Sequence, residues 1–301
     1  MRNVVDGRAA RQDAEVDVSV VIPARNAALT IGDQLVALAA QNFSGEFEVV
    51  VVDDGSTDDT RRIVESAPLA AIRLLGADPP GSGPGHARNA GAAAARGTLL
   101  AFCDADDLVD EGWLSAMVAA LEVADLALGR LDFRKLNGQR VRDWNGGQEI
   151  WTPQPHRGYL LAGPAANMGA RRSAFEGLGG FDPHLNRAGE DVDLCWRAQL
   201  GGLRVQIATD AVVHYRLRSS VRASTVQHFR YASADPLLYR RYRSTGMRRE
   251  RGGKVVRDLA WLAKHAPDAI ASTPRRAEWL RGAAVRAGRL AGSMRHRVFY
   301  P

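Results

Sequence analysis

Asp104, Ala105, Asp106 and Asp107 follow directly on the apolar run at residues 98–103 (TLLAFC). In an extended segment Asp104 and Asp106, two residues apart, project to one side. Carboxylates held that close repel one another unless a cation or protons intervene. Hard oxygen ligands select Mg²⁺ or Mn²⁺, and such an ion can bridge a diphosphate. The plainer reading is a solvated loop whose aspartates cap the helix expected at residues 111–121. A second acidic turn, Asp53-Asp54-Gly55-Ser56-Thr57-Asp58, follows the run FEVVVV at 47–52. A carboxylate there can accept hydrogen bonds from a nucleobase imide or from ribose hydroxyls. Ser56 or Thr57 also suits a helix N-cap, and the two roles are compatible. Glu190 and Asp191 open a third acidic site at a helix start. Beside a metal-bound diphosphate, a carboxylate so placed could take a proton from an acceptor hydroxyl. It would otherwise serve only the helix dipole. His214 ends a short apolar strand, as a metal ligand, a proton carrier or a structural residue.

The elements that must position these groups are legible in outline. Residues 18–22 (VSVVI) form a β-branched strand ended by Pro23. Leu29, Leu35 and Leu38 fall at roughly helical spacing, which predicts a helix to about Gln41. Strands are expected at 47–52, 70–75 and 98–103, with helices at 57–67 and 86–96, the last of them Ala-rich. The stretch GSGPG at 81–85 breaks the chain between them. The strands are apolar throughout rather than alternating, as when both faces are covered. This predicts an α/β fold with a mostly parallel, Rossmann-like sheet and helices on both faces. Ligands of such sheets bind beyond the carboxyl ends of the strands. The polar clusters 23–26, 53–56 and 104–107 stand at those ends. Residues 124–150 mix strands with Gly-rich turns. A helix is expected at 190–200 and short strands at 203–207 and 211–215.

At 301 residues and 46% hydrophobic, the chain is long enough for a sizeable core and is neither fibrous nor wholly disordered. It has no uninterrupted run of 18 apolar residues, so a spanning helix is not expected. The opening residues, MRNVVDGRAARQDAEVD, lack an apolar signal region. Cys103 and Cys195 form no CxxC pair, and no disulfide framework is expected. A cytosolic, reducing compartment is the expectation. The net charge of +6 hides an asymmetry: residues 1–215 carry −9 and residues 216–301 carry +15. An acidic body with a basic tail points to an anionic surface as partner for the tail.

Taken in order, these clusters resemble the inverting family 2 glycosyltransferases of the GT-A fold. The matching segments are VSVVIPARN at 18–26, VVVDDGSTDDT at 50–60 and ARNAG at 87–91 before GTLLAFCDADD at 97–107. NMGARRSAFEGLGGFDPHL at 167–185, GEDVDLCWR at 189–197 and VVHYRLRSS at 212–220 complete the set. The resemblance spans roughly residues 16–220. It implies a nucleotide-sugar donor, most often uridine-linked, bound with Mn²⁺ or Mg²⁺. Asp54 then matches the position that contacts the base, with Pro23 and Arg25 in the loop beside it. Arg88, within ARNAG, falls with the donor-binding residues. Asp104 would lie near the ribose or donor sugar, and Asp106 would hold the metal. His214 matches a position that approaches the metal or diphosphate. Asp191 matches the general base, with Glu190 positioning the acceptor. The QxxRW signature of processive synthases is missing after the Glu-Asp pair, which favours transfer of a single sugar. The hydroxyl acceptor would be a sugar or a lipid-linked sugar, as in cell-envelope polysaccharide or glycolipid synthesis.

The expected organisation is a mobile segment 1–16, a catalytic domain 17–220 and a basic helical extension 221–301. In the extension Val255, Val256, Leu259, Leu262 and Ala263 share helical spacing. So do Leu280, Ala283, Ala287, Leu290 and Met294, set against Arg281, Arg286, Arg289 and Arg295. Basic amphipathic helices lie on anionic membrane surfaces, and a peripheral position on the inner face of the cell membrane is the expectation. Packing on the catalytic domain is the alternative. Nucleic acid is not expected, because no recognition motif accompanies the charge. Two other functional classes are a nucleotidyltransferase and a non-catalytic nucleotide-sugar-binding protein. The first would show a Gly-rich phosphate loop after the first strand, where VVIPARN stands. The second would be expected to lack Asp106 or Asp191.

Overall fold

The computed structural model describes residues 16–186 and 188–301. The segment expected to be mobile, 1–16, lies outside the described residues except for Val16. The chain begins β1 (Val18–Ala24), α1 (Ile31–Ala39), β2 (Phe47–Asp53), α2 (Thr60–Glu65), β3 (Ile72–Gly76), α3 (Pro84–Ala94) and β4 (Leu99–Cys103). It continues through β5 (Leu108–Val109), α4 (Trp113–Val123), β6 (Leu126–Asp132), α5 (Gln139–Trp144), β7 (Ile150–Trp151), β8 (Gln154–Pro155) and β9 (Leu161–Ala162). It ends with β10 (Asn167–Arg171), α6 (Arg172–Gly177), α7 (Glu190–Leu200), β11 (Val205–His214), α8 (Val221–Tyr242), α9 (Gly252–Lys264) and α10 (Thr273–His296).

The main sheet has the order β3-β2-β1-β4-β10-β6-β11-β5, with β7 paired to β6. The four strands of the first half are parallel, with Val20 opposite Val49 and Ala101. Their side chains alternate between two apolar layers, so both faces of each strand are buried. Val20 and Ile22 join Trp113 and Leu114 on one side, while Val21 and Phe102 join Met168 and Trp196 on the other. Trp113 and Trp196 are fully buried. Burial on this scale contributes about 1.5–3 kcal/mol per large apolar side chain.

Two features depart from the expected sheet. Strand β10 is inserted antiparallel between β4 and β6. Its sequence, NMGAR, has little β-branched character. The short strands expected at 203–207 and 211–215 are one strand, β11, whose pairing with β6 shifts register between Ala208 and Val212. Asn167 ties this irregularity together from the core. Its Nδ2 donates to the Arg130 and Ala211 carbonyls at 2.9 Å each, and its Oδ1 accepts from Trp113 Nε1 at 2.8 Å.

The C-terminal helices pack on this body. Helix α10 crosses α8 at backbone contact: a Cβ on Gly288 would collide with the Phe229 carbonyl, and one on Gly292 with that of Ser233. The buried face of α10 is Ala277, Ala284, Gly288, Arg289 and Gly292. Small residues are what so close an approach requires. The stripe expected to be apolar therefore points elsewhere, with Leu290 and Met294 exposed. Arg289 is buried against Asp235 of α8 (3.0 Å) and Glu250 (2.6 Å), and Tyr300 is buried beside Tyr239.

Candidate active site

The carboxyl ends of β1, β2 and β4 open into a cleft of about 1410 Å³. The chain leaving β1 brings Pro23 and Arg25 to it, β2 brings Asp54, and β4 brings Asp104 and Asp106. Across the cleft, α7 presents Glu190 and Asp191. The segment after β11 adds Tyr215, Arg216 and Arg218.

Asp54 is buried, and its carboxylate gathers the turn that follows β3. Oδ1 accepts from the Gly81 amide at 2.7 Å and the Ser82 amide at 3.1 Å, and Oδ2 from the Gly83 amide at 3.0 Å. Gly81 and Gly83 have φ of +81° and +97°, the left-handed region that lets successive amides converge on one anion. Arg25, half exposed, reaches within 3.9 Å of the same carboxylate. With about four acceptor positions on a carboxylate, Asp54 keeps little free capacity for a base.

Asp104, Asp106 and Asp107 each place a carboxylate oxygen within 4.8 Å of the other two. Burial, then the neighbouring Asp104, push Asp106 above the usual carboxylate range. Burial followed by Asp106 and Asp104 push Asp107 higher still. The countercharge present is incomplete: Arg88 holds Asp104, Arg218 Nη1 lies 3.3 Å from Asp106, and Asp107 has a neutral donor, the Arg216 amide, to its Oδ1 at 2.7 Å. Asp107 Oδ2 is buried with no protein partner. An orphaned buried oxygen within three converging carboxylates fits a divalent cation, whose hard character suits all-oxygen ligation.

Arg88 of α3 is buried between the two halves of the site. Its Nη2 donates to Asp104 Oδ1 at 2.5 Å, and its Nη1 lies 3.5 Å from Glu190 Oε1. Glu190 is pushed up to about 7 by burial and by Asp191 beside it, with Arg88 opposing. Burial likewise raises Asp191, against the pull of Arg88 and His156. Both are therefore stronger proton acceptors than free carboxylates. Gly189, the N-cap of α7, has φ +88°, and a Cβ there would meet that of Ala234 at 3.1 Å. This contact sets the start of α7 against α8.

The structure thus brings together Pro23, Arg25, Asp54, Arg88, Asp104, Asp106, Glu190 and Asp191. It does not bring His214 to them. His214 Nε2 faces Asp110 at 3.3 Å, away from the cleft lining, and Asp107 takes the third place among the carboxylates. Burial and then Lys135 hold the His214 ring below its usual pKa. Pairing of β11 with β5 at His214 and Leu108 carries its side chain to that side of the turn. Sequence reasoning also passed over Arg216 and Arg218 within HYRLR, and the whole of α8. That helix lines the cleft through Arg222, Val226, Gln227, Arg230 and Tyr231, so the boundary expected at residue 220 falls within the site. Its residues are too mixed in polarity to announce a cleft wall.

A parallel half-sheet joined to an antiparallel insertion, with acidic clusters at the strand ends, is the frame of a GT-A glycosyltransferase. The family model described as glycosyl transferase family 2 matches residues 19–178, and the chain belongs to that family. Succinoglycan biosynthesis protein ExoO of Rhizobium meliloti is 32% identical over 274 residues, covering 84% of this chain and 78% of that protein. Pre-mycofactocin glycosyltransferase of Mycobacterium tuberculosis is 29% identical over 265 residues, covering 82% of this chain and 52% of that protein. Among solved structures, Staphylococcus aureus TarS 1–349 in complex with UDP aligns with TM-score 0.55 at 20% identity, over 95% of this chain and 93% of that one. The mannosyltransferase PcManGT from Pyrobaculum calidifontis, in complex with GDP-Man and Mn²⁺, aligns with TM-score 0.63 at 20% identity, over 93% and 88%. The chain is a glycosyltransferase acting on nucleotide sugars, related to proteins of polysaccharide biosynthesis. That membership replaces the nucleotidyltransferase and non-catalytic readings.

Proposed function

We propose that the enzyme moves a single sugar from a UDP-linked donor to an acceptor hydroxyl, with inversion at the anomeric carbon. The observation that carries this reading is the confrontation of Glu190 and Asp191 with Asp104 and Asp106 across one cleft, bridged by Arg88. Pro23, Arg25 and the turn held by Asp54 flank the nucleoside. Asp104, Asp106 and Asp107 would hold Mn²⁺ or Mg²⁺, which when bound neutralises charge growing on the leaving diphosphate. Asp191 takes the proton of the acceptor hydroxyl, and Glu190 orients that hydroxyl. The hydroxyl attacks from the face opposite the nucleotide, so the configuration inverts in one displacement. The test is calorimetry with UDP, GDP and dTDP in the presence of Mn²⁺, followed by product analysis of the sugar's anomer. UDP should bind most tightly and the product anomer should be inverted. Tighter binding of GDP or dTDP would overturn the donor assignment, and a retained anomer would overturn the displacement.

We infer further that the C-terminal helices meet an anionic membrane surface as a peripheral contact. Among the described residues no helix is long and apolar enough to cross a membrane. Packing and membrane contact are compatible here, because α10 packs through one face and exposes Leu290 and Met294 on another. Val256 and Leu259 of α9 are exposed, as are Ile270, Leu290 and Met294. They stand in the part of the chain that carries the +15 balance. Each basic residue near such a surface contributes on the order of 1 kcal/mol. Full-length enzyme should sediment with phosphatidylglycerol vesicles at low salt, less at high salt. Val256→Asp with Leu259→Asp should release it. Negligible wild-type binding to anionic vesicles would refute the membrane contact.

A further inference from the structure

We propose that the acceptor carries an anionic oxygen group, phosphate or carboxylate, which Arg222 and Arg230 of α8 grip. The inference rests on the glycosyltransferase reading of the cleft and adds the acceptor's chemical class. Arg222, Val226, Arg230 and Ala234 recur at fours along α8 and line the cleft as one face of the helix.

The other arginines lining the cleft are engaged. Arg88 holds Asp104 and Glu190, Arg218 lies on Asp106, Arg25 leans to Asp54, and Arg216 Nε donates to the Asp106 carbonyl at 2.8 Å. Among the described residues, Arg222 and Arg230 are the cleft-lining arginines with no such partner, and both are exposed. The acid on the same wall, Asp235, gives them no countercharge. It is buried and taken up by Arg157 at 2.8 Å and Arg289 at 3.0 Å. Arg222 is also the second residue of α8, where the helix dipole disfavours a cation. Helix stability therefore does not account for its place.

The position of the pair relative to the base fixes what it can hold. Ala234 abuts Gly189, immediately before Glu190 and Asp191. At 1.5 Å per residue, Arg230 stands about 6 Å and Arg222 about 18 Å along the helix from that contact. An anionic group gripped there lies on the order of one to a few sugar units from the hydroxyl at Asp191. The guanidinium fork suits both phosphate and carboxylate, bidentately.

The test uses full-length enzyme saturated with UDP and Mn²⁺, titrated calorimetrically with glucose 1-phosphate, glucuronic acid and glucose. A charged sugar should bind at least about tenfold more tightly than glucose. Preference for glucose 1-phosphate assigns phosphate, and preference for glucuronic acid assigns carboxylate. Arg222→Gln with Arg230→Gln should erase the preference, Arg222→Lys with Arg230→Lys should restore part of it, and Arg248→Gln, outside the cleft, should keep it. UDP binding to each variant checks that it is folded. Equal binding of the three sugars to the wild type, or a preference that survives the double Gln variant, overturns the anion grip. A wild type that binds no UDP instead overturns the donor reading beneath it.

Discussion

Arg88 of α3 and Glu190, the first residue of α7, meet 3.5 Å apart, and the same guanidinium holds Asp104 at 2.5 Å. The buried arginine therefore joins the residues proposed to bind the donor to those proposed to activate the acceptor. It also restrains the rise of Glu190, which burial and Asp191 drive to about 7.

Replacing Arg88 with Met should remove that restraint. The Glu190 carboxyl would then hold its proton to higher pH. The acid limb of the pH–rate profile should move upward, and turnover at neutral pH should fall. A limb that stays in place would show that Arg88 is not coupled to the base pair.

Asp191→Asn keeps shape and removes basicity. Turnover should fall by on the order of 10²–10⁴, the usual span of general-base contributions. UDP affinity should change little, because the residues proposed to contact the nucleotide lie on the other side of Arg88. Wild-type turnover would transfer the role to Glu190.

Asp106→Ala removes one of three converging carboxylates. Mn²⁺ affinity, read by calorimetry, should fall at least about tenfold, and transfer should be abolished with the fold intact. Undiminished turnover with chelator present would remove the metal from the mechanism.

Asp235 anchors the C-terminal helices. Burial alone would raise its pKa, but the His156 hydrogen bond and the Arg157 charge hold it down to about 2. A depressed carboxyl stabilises the fold above its unfolded pKa and loses that contribution as pH falls towards 2. The fall from an ordinary aspartate value of 3.8 corresponds to about 2 kcal/mol at neutral pH. Asp235→Asn should therefore lower the melting temperature at pH 7. The gap to wild type should narrow as pH falls from 5 towards 3. A gap that does not depend on pH would mean that the charge is not what matters there.

The sequence alone determined the parallel half of the sheet and its acidic strand ends. Runs such as VSVVI and FEVVVV, and the turns that close them, act over a few residues, so pattern and turn chemistry suffice. Asp54, Asp104, Asp106, Glu190 and Asp191 were legible for the same reason. Tertiary structure decided the rest. Strand β10 is held by its neighbours β4 and β6 rather than by its own propensity. The turn of β11 onto β5 carries His214 to Asp110 and leaves Asp107 among the carboxylates. In α10 the periodicity announced an apolar stripe but not the partner. Backbone contact with α8 selected the small residues Gly288 and Gly292 for the buried face and left Leu290 and Met294 outside. Helical periodicity states which residues share a face; only packing between distant segments states what that face meets.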